Sequence, residues 1–342
     1  MVDLRSDTVS LPTPEMAEAI MAVIPHGLGD DVYGEDPTVL KLQQKCCNLT
    51  GKEAALFVTS GCMANQLAIK SHSVPGNEVI VESESHILHY ETAAPSIISG
   101  VQLMPVNGSN GEPDLSELER KIRPKEYYYP QTSLVCLENT HNRSGGAIIS
   151  ITHIEKLRKL CNDYSIKMHL DGARIFNAIA ETGIDLKKYS SYFDSISFCF
   201  SKGLGAPVGS VLCGNTAFIA TARKWRKILG GGMRQSGILA AAAIYAVDNN
   251  ITRLKDDNLR AKHFANGLLE LSGMIVKEPQ TNIVLFKSEK FENSDLIQRC
   301  KSHGILISSG GNDNIRAVFH LGINDDDLSF ALSVFKKICL NN

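Results

Sequence analysis

The sequence predicts an α/β protein with a mostly parallel central sheet, helices on both faces, and a smaller C-terminal α/β domain. Three observations predict it. Apolar runs of strand length alternate with helical patterns through most of the chain, as in sheets covered on both faces. The pattern changes near Ser236, where an Ala-rich helix is followed by a charged helical stretch and a shorter α/β unit. The length, 342 residues, suits one large α/β domain with a companion.

Each element has a local signal. Asp36-Pro37 opens a helix, with Asp as N-cap and Pro in the first helical position, and Gly51 closes it. Ala54–Thr59 reads as a strand, and Ser60-Gly61-Cys62 turns into the next helix. Further strands are expected at Glu78–Glu82, Val101–Val106, Leu134–Glu138, Lys167–Asp171, Ile196–Phe200 and Gly209–Cys213. Ile154, Leu157, Leu160, Cys161 and Tyr164 form a stripe of helical spacing. Beyond the boundary, placed near Asp248 (1–247 and 248–342), strands are expected at Ile283–Phe286 and Ile315–Val318.

Composition excludes several function classes. A formal charge of -2 and a pI near 6.6 give no electrostatic case for nucleic acid or an anionic membrane. The apolar stretches are strand-sized, so no membrane span is expected. Nine cysteines, an odd number, lie mostly in apolar runs without a C-x-x-C, which points to reduced thiols and a cytoplasmic setting. The N-terminal segment MVDLRSDTVSLPTP lacks the apolar region of a signal peptide. Nucleotide-binding and serine-hydrolase signatures are absent.

Four strand ends carry the candidate chemistry. Asp171 ends an apolar strand, where open α/β sheets place their ligand crevice. It could cap a helix starting at Gly172-Ala173-Arg174, or it could pair with a protonated pyridine nitrogen of pyridoxal phosphate (PLP). Thirty-one positions on (202 − 171), Lys202 follows another apolar strand in SKGLGAP. A lysine there is either a solvated loop residue or a Schiff-base former, and Gly203, Gly205 and Pro207 would aim its amine. Gly61 and Cys62 open a helix whose free N–H groups suit a phosphate. His86 follows a strand where an aromatic ring could stack on a flat cofactor. His86 and His89 share i, i+3 spacing, but no third ligand appears, so no metal is expected. Arg174 and Arg316 are candidates to grip a carboxylate, or else surface ion-pair formers.

The chain also carries VDLRSDTV, GDDVYGEDPTV, GKEAALF, SHI..YE, LENTHN, LDGARIFNA, SKGLGAPVGS and GGGMRQSGILAAA. With these motifs it resembles the low-specificity L-threonine aldolase family of fold-type-I PLP enzymes over nearly its whole length. The resemblance implies that Lys202 binds the cofactor, Asp171 faces its pyridine nitrogen, and His86 stacks on its ring. It places Gly61 and Cys62 at the phosphate, and Ser6, Arg174 and Arg316 at the cofactor edge or the substrate carboxylate. Tyr90 and Lys227 match residues lining the site or a subunit boundary. It implies a homotetramer with sites between subunits, where Arg234 and Lys227 act across an interface.

Two positions depart from the family. Cys62 stands where the phosphate turn usually has threonine. Tyr128 stands where many members have a histidine near the substrate hydroxyl. The implied reaction splits β-hydroxy-α-amino acids such as threonine into glycine and an aldehyde, with His86, or a water held by His86 and Tyr128, as the base. β-Elimination and transamination are the rival reactions on this fold, and a catalytically silent assembly protein is the rival of another class.

Overall fold

The computed structural model describes residues 1–340. Its larger sheet has seven strands: β1 (Ala54–Val58), β2 (Glu78–Glu82), β3 (Gln102–Val106), β4 (Thr132–Glu138), β5 (Lys167–Asp171), β6 (Ser195–Cys199) and β7 (Ser210–Gly214). Their spatial order is β1-β7-β6-β5-β4-β2-β3. Six run parallel, and β7 lies antiparallel between β1 and β6. The chain leaves β6 and returns as β7 through a short loop, with Phe200 N–H donating to Gly209 O at 3.0 Å. A parallel return would need a long crossover, so the short loop enforces the reversed strand.

The expected helix caps are present. Asp36 Oδ1 accepts from Thr38 N and Val39 N, and the helix Pro37–Thr50 ends on Gly51 in the left-handed region at φ 71°. The second Asp36 oxygen accepts from Gly237 N at 2.8 Å, so the same carboxylate also meets the start of the Ala-rich helix Gly237–Asn249. The Ile151–Asp163 helix buries Ile154, Leu157 and Cys161 on the sheet. Phe57, Phe198 and Phe200 form a ring cluster under β1 and β6, each burial contributing roughly 1.5–3 kcal/mol.

The smaller body has an antiparallel sheet of β8 (Met274–Lys277), β9 (Ile283–Ser288), β10 (Ser308–Gly311) and β11 (Asn314–Val318), in the order β8-β9-β11-β10. Phe264, Phe286, Phe319 and Phe335 fill its core. That core also takes Val2 and Leu4 from the N-terminus, and Val2–Asp3 pairs in parallel with Ile305–Leu306. A two-residue strand carries no periodic signal, so nothing in the sequence pattern marks this pairing. A few residues later, Asp7 reaches the large body, and the arm thereby spans both.

Among the described residues no helix is long and apolar enough to cross a membrane. All nine cysteines are free thiols.

Candidate active site

The six parallel strands deliver their carboxyl ends to one edge, and the chemistry collects there. Asp171 ends β5, and its neighbour in register on β4 is Glu138. Lys202 follows β6 by three residues, Gly61 follows β1, and His86 opens the short helix His86–His89 after β2.

Asp171 is buried, with one oxygen accepting from Asn65 Nδ2 at 2.7 Å and the other from Ala173 N at 3.0 Å. Burial opposes its charge, yet Lys202, His86 and the Asn65 amide outweigh that cost and hold its pKa below the ordinary carboxylate value. Arg174, not Asp171, occupies the N-cap position of the helix Ile175–Thr182. The carboxylate therefore braces one loop N–H and still faces Lys202 and His86 electrostatically. Among the described residues no guanidinium is bonded to it, which leaves it suited to a cationic ring nitrogen.

The Lys202 turn is pinned from several sides. Gly205 N–H donates to Lys202 O at 2.8 Å, and Ala206 N–H to Phe200 O at 3.0 Å. Asn250 Nδ2 donates to Leu204 O, and Arg253 Nη1 to Gly203 O. Gly205 needs its positive φ of 79°. Gly203 serves differently: a Cβ there would stand 2.8 Å from Leu254 Cδ2.

The Gly61–Cys62 turn fits a phosphate by elimination of its other partners. Ser60 Oγ caps Met63 N, and Ser60 O takes Ala64 N. The N–H groups of Gly61 and Cys62 remain at the start of a twelve-residue helix, Gly61–His72. Gly61 also sits tightly on β6, where a Cβ would lie 2.9 Å from Cys199 Sγ.

His86 is bound through its backbone N–H to Glu138 Oε2 at 2.7 Å, and through Nδ1 to Glu91 Oε1 at 2.9 Å. Burial lowers its pKa, but the Glu91 bond and the charges of Asp171, Glu138 and Glu91 raise it net above the ordinary histidine value. His89 instead bonds Ser83 O at 2.9 Å. Ligand atoms of Cys62, His86 and Glu91 lie within 4.8 Å of one another. The Cys62 thiol is pushed up to about 11 by burial and then by the Glu91 and Asp171 charges, so it is a poor metal ligand without loss of its proton.

The two arginines differ. Arg174 grips Asp7 with Nε at 2.6 Å and Nη2 at 2.8 Å, leaving Nη1 near Asn142 Oδ1 at 3.3 Å. Despite burial, this pair holds the Asp7 carboxyl down to about 2. Among the described residues Arg316 bonds only Asn142 Oδ1 and Arg5 O, and its buried Nε has no partner there. Ser6 lies between the Arg5 carbonyl that Arg316 takes and the Asp7 carboxylate that Arg174 takes. Tyr90 borders the group, with its ring 5.4 Å from that of His86 and its hydroxyl accepting from Arg143 at 2.9 Å.

Three expected residues lie away from this group. Lys227 is exposed, and Arg234 is exposed in an ion pair with Asp30 at 2.9 Å. Tyr128 is 65% exposed and precedes β4, at the opposite edge of the sheet from Glu138 and Asp171. The length of β4 alone puts about 20 Å between those edges. Sequence reasoning missed Asn65, Glu91, Asp7 and Asn142 as site residues. A signal existed for the first: Asn65 and Gln66 interrupt the small and apolar residues of a helix buried from Ala64 to Ile69.

A buried carboxylate facing a pinned strand-end lysine, beside a helix start with two free N–H groups, defines a PLP-dependent enzyme of fold type I. The model of the beta-eliminating lyase family matches residues 3–290. The chain belongs to this family. It is 42% identical to low-specificity L-threonine aldolase 1 of Arabidopsis thaliana, over 99% of this chain and 96% of that one. It is 40% identical to the low specificity L-threonine aldolase of Escherichia coli K12, covering 96% of each. A Leishmania major threonine aldolase structure superposes with TM-score 0.87 at 18% identity, over 99% of this chain and all of that one. An aspartate aminotransferase of Thermotoga maritima gives TM-score 0.76 at 18% identity, covering 100% and 92%. These last two show the shared fold.

Proposed function

We propose that the protein cleaves L-threonine and L-allo-threonine to glycine and acetaldehyde. The observation that carries this reading is the meeting of Lys202, Asp171, His86 and the Gly61–Cys62 N–H pair at one sheet edge, in a chain close to curated L-threonine aldolases.

When bound, PLP supplies an electron sink for the bond that breaks at Cα. Lys202 would hold the cofactor through Nζ, Asp171 would keep a proton on its ring nitrogen, and Gly61 and Cys62 would hold its phosphate. Arg316, with an unpartnered Nε, binds the substrate carboxylate, while Ser6 and Arg174, whose Nη1 bonds Asn142 Oδ1, border it. His86 Nε2 takes the proton from the β-hydroxyl as the Cα–Cβ bond breaks and the aldehyde leaves. Tyr90 closes the side next to His86. Tyr128, Lys227 and Arg234 are exposed on their own protomer, so they serve a site only across a subunit boundary. A cytoplasmic homotetramer with sites between subunits accommodates that role. This reading divides the chain near Asp248, while Val2 and Leu4 of the N-terminal arm pack into the smaller body.

The family model's name favours a second reading, β-elimination. Product analysis separates them. Equimolar glycine and acetaldehyde from L-threonine support aldol cleavage, and a 2-oxo acid with ammonia refutes it.

A further inference from the structure

We infer that Glu91 is the positioning residue for His86, and that Asn65 joins the Glu91 carboxylate to that of Asp171 so that both halves of the site are set by one amide. The inference rests on the proposed cleavage for its chemistry, and its geometry stands apart from it.

Glu91 is buried, with its side chain fully covered. Three nitrogen groups converge on it. Asn65 Nδ2 reaches Oε1 at 2.8 Å, His86 Nδ1 reaches Oε1 at 2.9 Å, and Gln66 Nε2 reaches Oε2 at 2.6 Å. The two amides can only donate through nitrogen, an arrangement that suits a carboxylate. Neutral His86 must then carry its proton on Nδ1. That leaves Nε2 as the basic atom, on a side chain 28% exposed. No hydrogen-bond partner of Nε2 is found among the described residues. A base needs this form: a lone pair aimed outward and a carboxylate behind the ring to stabilise the imidazolium.

The direction of the whole network follows from Asn65. Its Nδ2 has two hydrogens, one spent on Glu91 and the other on Asp171 Oδ2 at 2.7 Å. Its Oδ1 must therefore accept from His169 Nε2 at 3.2 Å, with the Ser197 hydroxyl at 3.4 Å. His169 Nδ1 is then an acceptor for the Ser195 hydroxyl at 2.9 Å, and Ser195 Oγ accepts from His72 Nε2 at 2.8 Å. Burial pushes His169 down to about 4 and His72 down to about 3, so both rings are neutral, as this chain requires. Every donor in the chain points toward the two carboxylates. Such a network supports buried charge without adding a cation that would compete for it.

The groups facing His86 are Glu91 on its own turn, Glu138 from β4, Asp171 from β5, Cys62 from the helix start, and Tyr90. Among the described residues Glu91 alone bonds the ring.

The test follows the His86 ring in the substrate-free holoenzyme by NMR of ¹³C-labelled histidine, in wild type, Glu91→Gln and Glu91→Asp. Removing the carboxylate deletes contributions that raise the His86 pKa, so its titration moves to lower pH in Glu91→Gln. Glu91→Asp, one methylene shorter, moves it the same way by less, and carries the test should the Gln variant not fold. The acid limb of kcat/KM follows the ring, and the plateau falls at least about tenfold, the low side of general-base effects. An unchanged His86 titration in the variants overturns the inference. A shifted titration with unchanged kcat/KM upholds the pair but removes His86 as the base, which is a failure of the proposed mechanism instead.

Discussion

Of the carboxylates under the site, Asp7 and Asp171 are held in opposite ways. Asp7 is saturated by the Arg174 guanidinium, two bonds in one fork. Asp171 is held by an amide and a backbone N–H, with no cation bonded to it. The ion pair ties the N-terminal arm to the large body, so Asp7 is committed to structure. The amide-held carboxylate keeps its charge without a bonded cation among the described residues. The same contrast separates the arginines: Arg174 is spent on Asp7, whereas Arg316 keeps an unpartnered Nε.

The largest effect expected from breaking this contrast is at Asp171. Asp171→Asn should lower kcat by at least about a hundredfold, the scale for loss of one preorganised electrostatic contact. Cofactor retention should also fall, checked by the absorbance of the purified protein. Unchanged turnover would show that Asp171 is another Asp7. Arg316→Ala should raise KM for threonine by roughly ten- to a hundredfold, the worth of one or two charge-assisted hydrogen bonds. Arg174→Ala should act first on stability, by about 3–5 kcal/mol, because it strands a buried carboxylate. Chemical denaturation beside steady-state kinetics tells the two patterns apart.

Histidines supply a matched pair on one turn. His86→Ala should weaken kcat/KM at least about tenfold. His89→Ala should cost little, since that ring bonds a backbone carbonyl. Equal losses would mean that the wrong ring has been assigned to the site.

Asp7 makes a pH prediction. Its folded pKa, about 2, lies below the ordinary value of 3.8. The contribution of about 2 kcal/mol is therefore present above pH 4 and lost as pH falls toward 2. Denaturant midpoints of wild type and Asp7→Asn should converge over that window, and a constant gap would contradict the pairing.

The smallest effect is expected at Tyr128. Tyr128→His and Tyr128→Phe should change the ratio of kcat/KM for L-threonine against L-allo-threonine, with cofactor content intact. An unchanged ratio combined with a dissociated oligomer assigns the tyrosine to subunit contact alone.

How far the sequence could be read depended on the range of the interaction involved. The Asp36-Pro37 cap and the Gly51 stop are local, and the long strands are continuous apolar runs, so both were legible. Lys202, Asp171, His86 and Gly61 were legible because strand ends in a parallel sheet share an edge by topology. Glu91 and Asn65 were not, since their partnership spans 26 residues and depends on the helix Gly61–His72 meeting the turn that follows His86–His89. The commitment of Arg174 to Asp7 spans 167 residues, and no local pattern distinguishes it from the open hand of Arg316. Tyr128 matches a site position by resemblance, yet it lies in the turn before β4, at the far edge of the sheet.

The central claim is that Lys202, three residues past β6 and facing Asp171, is where the cofactor is attached. Borohydride reduction of the holoenzyme, followed by peptide mass mapping, measures this directly. The account predicts a single pyridoxyl adduct on the peptide containing Lys202, and its absence in Lys202→Ala. An adduct on any other lysine, or none in a protein that still binds PLP, contradicts it.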